Sequence, residues 1–317
     1  MAGRGDAVTS GTWSLADLED QSGRTVLVTG CSTGGLGHYV SLELARRGAR
    51  VVLAGRTEAK LEATDAAIRA EAPAARLERL VVDLAELASV RRAAARAAAY
   101  GPLHVLVNNA GVMAPAYSRT VDGLELQLAT NHFGPFLLTG LLTPQLVAAA
   151  DARVVTVSSQ AHRLARRAPL GDTYRHEGRY QRWTAYGATK LANLLFTYEL
   201  DRRARAAGLP MRALAAHPGL AGTHLVVNGQ LGRSTGPVAS ILDAATKAVS
   251  QSAADGALPL LMAASAELPG ATYVGPSGQH QARGLPRIVD SNALSHDPEA
   301  QRRLWEISEE VVGLAWP

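Results

Sequence analysis

Short apolar runs alternate along this chain with longer stretches of helical periodicity. Thr25-Val26-Leu27-Val28, ending in Thr29-Gly30, reads as a parallel strand buried on both faces, because every position in it is compatible with a core. Residues 38–47 follow with helical spacing. Strands are then predicted at 51–54, 80–82, 105–107, 154–157 and 212–215, and helices at 57–71, 84–99, 124–149 and 184–207. Alternating strands and helices call for a parallel sheet with helices on both faces. Right-handed crossovers make that a single doubly wound α/β domain over residues 23–317, with a closed (β/α)8 barrel as the competing architecture.

Three segments fall outside the alternation. Residues 1–22 are polar and read as a loose arm that Trp13 and Leu18 pin to the body. Residues 160–185 are rich in Arg, His and Tyr with little apolar periodicity, and read as an inserted loop. Residues 220–317 form an extension on the substrate side. It holds an Ala-rich helix over about 237–266, a short strand at 272–274 and a last helix over 298–312, with Asp297 as N-cap and Pro298 at the first helical position.

Composition narrows the class. With 47% hydrophobic and 19% charged residues the chain is globular. Its net charge of +4 comes from arginines scattered along helices, without the basic patch and interleaved aromatics of a nucleic-acid binder. One cysteine, Cys31, excludes an internal disulfide and fits a reducing, cytoplasmic setting. No apolar run is long enough to span a bilayer, and no His/Cys/carboxylate spacing suggests a metal site.

The chemistry starts where the first strand ends. Gly30, Ser32, Thr33, Gly35, Leu36 and Gly37 lie in a Gly-rich turn leading into a helix, where backbone N–H groups and the helix dipole favour a pyrophosphate. Arg56 follows the second strand, where an acidic residue would bind the ribose 2′-hydroxyl of NAD. An arginine suits the 2′-phosphate of NADP(H), and Lys60 adds charge one turn on. Tyr186 and Lys190, four residues apart on a helix, share one face and pair a phenol with an ammonium that favours its ionised form. Ser158-Ser159 ends the fifth strand, at the edge where ligands meet such sheets.

Thr29-Gly30, Gly35-Leu36-Gly37, Asp83, Asn108-Asn109-Ala110-Gly111, Asn131, Ser158-Ser159, Tyr186 to Lys190 and Pro218-Gly219 occur in the order of the short-chain dehydrogenase/reductase family. The chain resembles that family from about residue 23 to 223. Val157 to His162 and Lys190-Leu191-Ala192-Asn193 resemble its retinol dehydrogenase and protochlorophyllide reductase branch. The resemblance implies a Rossmann fold, NADP(H) as cofactor and a homodimer or tetramer. It implies that Ser159 polarises a carbonyl, that Tyr186 moves the proton, and that Lys190 lowers the tyrosine pKa and holds the nicotinamide ribose. By the same resemblance Asn131 kinks its helix and holds a water linked to Lys190. Asp83 and Leu84 would serve the adenine side, Asn109, Ala110 and Gly111 the adenosine ribose region, and Pro218, Gly219 and Thr223 the nicotinamide end.

There are departures from the family pattern. The Gly30–Gly37 turn is one residue too long, so either Gly34 or Gly35 fills its second glycine position. Ser159 and Tyr186 lie about twice as far apart as is usual, and the loop must fold out and return. His162 and His217 read as hydrogen-bonded structural residues. The expected reaction is hydride transfer between NADP(H) and a ketone, aldehyde or matching alcohol. A cofactor-sensing protein without turnover and a C=C reductase are the alternatives. Leu220, Leu225, Val226, Val227 and Leu231 suggest an apolar substrate wall, or equally the core side of a helix.

Overall fold

The computed structural model describes residues 13–170, 180–220 and 251–316. Its strands are β1 (Thr25–Thr29), β2 (Arg50–Gly55), β3 (Arg76–Val81), β4 (Val105–Asn108), β5 (Ala152–Val157), β6 (Met211–Ala216), β7 (Tyr273–Pro276) and β8 (Pro286–Ile288). They form one open sheet in the order β3-β2-β1-β4-β5-β6-β7-β8. The first seven are parallel and β8 pairs antiparallel with β7. The open order excludes the closed barrel. The strand order reverses at β1, so the connections leaving the carboxyl ends of the neighbouring strands β1 and β4 run to opposite sides and leave a crevice there.

Alternate residues of the same strands feed opposite cores. Val26 and Val28 of β1 face a cluster with α1 (Leu36–Arg46), α2 (Glu58–Glu71) and α7 (Ala253–Ser265). Leu27 faces the other cluster, with α3 (Leu87–Ala97), α5 (Gly134–Ala148), α6 (Arg182–Ala206) and α8 (Pro298–Val312). This two-sided burial is why the strands read as unbroken apolar runs.

The differences from expectation have local causes. β3 begins four residues earlier than its apolar core, because as an edge strand it carries Arg76, Glu78 and Arg79 at exposed or half-buried positions. β8 is short, with Arg287 and Ile288 exposed, and left no hydrophobic signature. The helix expected over 124–149 is interrupted: α4 (Leu126–Leu128) passes through a π-helical turn (Ala129–Phe133) into α5. The arm is not loose from residue 13 onward, since Trp13 and Leu18 are buried against the α1 face. The Ala-rich helix expected over about 237–266 does not run through residue 252: Gln251 and Ser252 are non-helical, and α7 begins at Ala253 with Ser252 as its N-cap, its hydroxyl accepting from Asp255 N–H. The last helix starts as expected, with the Asp297 carboxylate accepting from the N–H groups of Glu299 and Ala300. Among the described residues no helix is long and apolar enough to cross a membrane.

Candidate active site

The Gly-rich turn is built by its glycines. Gly30 and Gly34 take φ of 76° and 77°, a left-handed backbone that favours glycine. Gly35 is the N-cap of α1 and offers its first N–H groups no side-chain acceptor. The extra residue is therefore absorbed as a turn at Gly34, and Gly35-Leu36-Gly37 opens the helix. A Cβ at Gly37 would lie 2.7 Å from Gly30 O and 2.8 Å from Asn109 Nδ2. The cradle is thus a bare backbone surface at a helix N-terminus, which fits a dinucleotide pyrophosphate. Ser32 and Thr33 lie in the same turn, where Thr33 Oγ1 meets Thr64 Oγ1 at 3.1 Å.

β4 closes the cradle from the other side. Asn109 Nδ2 donates to Thr29 O (2.7 Å) and Gly30 O (3.3 Å), and the Asn109 and Ala110 N–H groups donate to Thr29 Oγ1. Asn109 thus spends its amide nitrogen holding the two strand ends together. Asp83 and Leu84 follow β3 beside the end of β2, where Val82 N–H donates to Gly55 O. Asp83 Oδ1 accepts from Ala85 N–H (2.9 Å), while Leu84 is buried with its carbonyl against Gly134. Arg56, just past β2, is exposed, as is Lys60.

Ser159, Tyr186, Lys190 and Asn131 converge at the carboxyl ends of β4 and β5. Tyr186 and Lys190 are only 8% and 5% exposed, although both carry polar tips. Lys190 Nζ donates to Val157 O (3.0 Å) and lies 5.6 Å from the centre of the Tyr186 ring. The two serines divide their work. Ser158 Oγ donates to Lys190 O (2.8 Å) and so anchors α6. Ser159 Oγ accepts from Ala161 N–H (3.2 Å) and pulls the Tyr186 phenol pKa downward.

The π-helical turn places Asn131 in the same cluster. Its amide bonds Val112 through both backbone groups (Val112 N–H to Oδ1, 2.7 Å; Nδ2 to Val112 O, 2.9 Å), and Nδ2 also donates to Thr189 Oγ1 (3.0 Å). Gly111 leaves the space between: a Cβ there would lie 3.0 Å from Asn131 Oδ1 and 3.7 Å from Lys190 Nζ.

Burial governs the charges here. It pushes the Tyr186 phenol up to about 12, against the downward pull of Ser159, and it pushes the Lys190 ammonium down to about 8. Near pH 7 the phenol keeps its proton and the amine its charge. In the protein alone the downward pull on the phenol comes from Ser159, and desolvation outweighs it.

The long separation of Ser159 and Tyr186 is managed by two clasps. After β5 the chain makes a short turn (Gln160–Leu164) that packs on Gly187, where a Cβ would stand 2.7 Å from Ala161 O. On the return, Tyr180 Oη donates to the buried Glu125 carboxylate (2.7 Å), and Gln127 Nε2 reaches Arg182 O (3.1 Å). Neither clasp was legible beforehand, because Gly187 and Glu125 meet partners that are remote in the sequence. Residues 171–179 of this loop lie outside the described residues.

Pro218 and Gly219 follow β6. Pro218 O accepts from Gln251 Nε2 (2.6 Å), and Gly219 takes φ of 67° against Ala282 O. Thr223, Leu225, Val226, Val227 and Leu231 lie outside the described residues. His162 and His217 are buried and hydrogen-bonded, and burial drives both down to about 4. Cys31 is buried, its thiol pushed up to about 11. No group of three or more His, Cys, Asp or Glu among the described residues has the arrangement of a metal site.

The short chain dehydrogenase family profile matches residues 24–232, spanning the cradle and the Ser/Tyr/Lys cluster. The chain belongs to this family. Human retinol dehydrogenase 13 is 36% identical over 302 residues, covering 93% of this chain and 86% of its own. Zebrafish polyprenol dehydrogenase is 36% identical over 310 residues, covering 96% and 91%. The crystal structure of an uncharacterized protein from Mycobacterium paratuberculosis superposes with a TM-score of 0.77 at 40% identity, covering 97% of this chain and 100% of that one. A short-chain dehydrogenase is an NAD(P)-dependent oxidoreductase, and the bare backbone of the cradle at α1 fits such a dinucleotide. Gly37→Ala is accordingly expected to weaken dinucleotide binding by about tenfold or more, since backbone atoms must shift to admit the methyl. Fluorescence titration with the reduced cofactor measures it.

Proposed function

We propose that this dehydrogenase is NADP(H)-dependent and interconverts a ketone or aldehyde with the matching alcohol of a lipophilic small molecule. The observation that carries the reading is the convergence of the Ser159 hydroxyl, the Tyr186 phenol and the buried Lys190 ammonium on one point beside the cradle. Bound in the crevice, the dinucleotide supplies or accepts the hydride. Ser159 hydrogen-bonds the substrate oxygen and polarises the carbonyl. Tyr186, held protonated by burial, gives its proton to that oxygen during reduction and takes it back during oxidation. Lys190, fixed by Val157 O, supplies positive charge where negative charge develops and holds the cofactor's ribose. Asn131 keeps the π-helical turn open beside Lys190 through its bonds to Val112 and Thr189.

The choice of NADP(H) rests on Arg56 and Lys60. Both are exposed at the β2–α2 junction, and among the described residues neither side chain has an ion-pair partner, whereas Glu58 and Glu62 nearby are taken by Arg79. Two uncommitted cations suit a 2′-phosphate. Arg56→Ala is expected to raise the Kd for NADPH by roughly tenfold or more and to leave that for NADH unchanged, since charge-assisted hydrogen bonds contribute about 1.5–3 kcal/mol. An equal effect on both cofactors would remove this assignment.

Lipophilic character rests on the surroundings of Tyr186. Trp183 (47% exposed) meets its ring edge-on at 6.2 Å, and Leu164 (53% exposed) sits beside Gly187. The names of the two relatives point the same way, since retinol and polyprenol are lipophilic alcohols. The test is a spectrophotometric panel of lipophilic aldehydes and ketones with NADPH, repeated with NADH. No cofactor consumption across the panel would defeat the reading.

A further inference from the structure

The connection between β7 and β8 contains two consecutive non-glycine residues in left-handed backbone, His280 (φ 52°) and Gln281 (φ 56°). Such a conformation is disfavoured for a residue with a side chain, and the surrounding contacts must hold it. Backbone bonds close the turn (Gln281 N–H to Gly278 O, 2.9 Å; Ala282 N–H to Gln279 O, 3.1 Å), and the Gln281 side-chain amide ties it to the rest of the site. Its Oε1 accepts from His217 Nε2 (3.1 Å) and from Gln160 Nε2, which reaches it in a short hydrogen bond. Gly219 N–H donates to His217 Nδ1 (3.2 Å), which favours the tautomer with the ring proton on Nε2; the Gln160 amide nitrogen lies 3.3 Å from that same Nε2, and both point at the Gln281 oxygen. His217 cannot turn away: it is fully buried, and a Cβ on Gly275 would stand 2.0 Å from its ring.

One amide oxygen therefore ties the end of β6 to the residue that follows Ser159. Gln160 is further pinned by Arg163 Nε, which donates to its Oε1 (3.0 Å). Ser159 takes its orientation from the same turn, because its hydroxyl accepts from Ala161 N–H.

We propose that Gln281 is a positioning residue for the reaction. Brought in from the substrate-side extension, it clamps Gln160 against His217 and so fixes the Ser159 hydroxyl relative to the Tyr186 phenol. This rests on the roles given above to Ser159 and Tyr186. Gln281→Gly relieves the backbone and removes the clamp, so a contribution to folding alone and a contribution to catalysis have opposite signatures. Gln281→Glu keeps an acceptor at the same reach.

The experiment compares wild type, Q281G and Q281E with NADPH and the best aldehyde of the panel, beside a ¹⁵N-histidine spectrum of each protein without ligands. The expected results are an undiminished melting temperature in Q281G and a kcat lowered roughly 10- to 100-fold, the scale of a misplaced group. The NADPH KM should not change, and Q281E should recover most of the turnover. The His217 Nε2–H resonance should be protected from exchange in wild type and lose that protection in Q281G. Wild-type kcat in Q281G overturns the positioning role while leaving the Ser/Tyr/Lys reading intact. No turnover in any of the three proteins, with His217 protection still lost in Q281G, instead overturns the catalytic reading on which the role depends.

Discussion

Tyr186→Phe is expected to lower kcat for carbonyl reduction by about a thousandfold, within the range that a positioned proton donor contributes, with little change in NADPH affinity. The phenol is buried, and burial holds its pKa at about 12, so near pH 7 it is a proton donor waiting for an acceptor. Phenylalanine keeps the ring and its edge-on contact with Trp183 and removes only the oxygen. Ser159 keeps its bond from Ala161 N–H, so the loss of the phenol oxygen leaves its hydroxyl with a partner and the variant should fold. In the function proposed here the cofactor is held by the cradle at Gly30–Gly37 and the cations past β2, neither of which the phenol touches. Stopped-flow reduction and a separate NADPH titration distinguish the two quantities. Turnover close to wild type would show that the proton comes from elsewhere, and a parallel loss of NADPH binding would show that Tyr186 holds cofactor instead.

The sheet was readable because its central strands are buried on two faces and so carry continuous apolar runs. Where burial is one-sided or absent, as in β3 and β8, that signal thins and the boundaries move. The site divides the same way. Tyr186, Lys190 and the glycines are legible because local spacing fixes their geometry: four residues on a helix make one face, and a glycine-rich turn before a helix makes a cradle. Gln281, Glu125 and Tyr180 act across more than fifty residues of chain through side-chain amides, carboxylates and phenols that any surface also carries. Nothing local marks them. The π-helical turn at Asn131 shows the same limit from another side: apolar periodicity runs through it unbroken, and the kink was expected from the family resemblance alone.

Lys190→Met is expected to abolish turnover and at the same time make the protein more stable by about 3 kcal/mol near pH 7, as measured by urea unfolding without cofactor. The magnitude follows from the displacement of the ammonium from 10.5 to about 8, at about 1.36 kcal/mol per pKa unit. Its sign follows from the protons bound. Below pH 8 both folded and unfolded chains hold the proton, and the folded chain bears the full cost of a buried charge. Between pH 8 and 10.5 the folded amine is neutral while the unfolded one is still charged, so wild-type stability rises with pH relative to the variant. Above 10.5 the gap between the two proteins closes. Methionine nearly matches the lysine in volume, and Val157 O, which Lys190 leaves, still accepts from Asn193 Nδ2 at 3.0 Å. The substitution therefore removes a desolvated charge without opening a cavity or stranding a carbonyl. A charge kept in such a place at the expense of the fold is what a catalytic site requires and a structural one does not. If K190M unfolds at the same urea concentration as wild type at both pH 7 and pH 10.5, the ammonium is not held under strain, and its role must be argued from contacts with the cofactor alone.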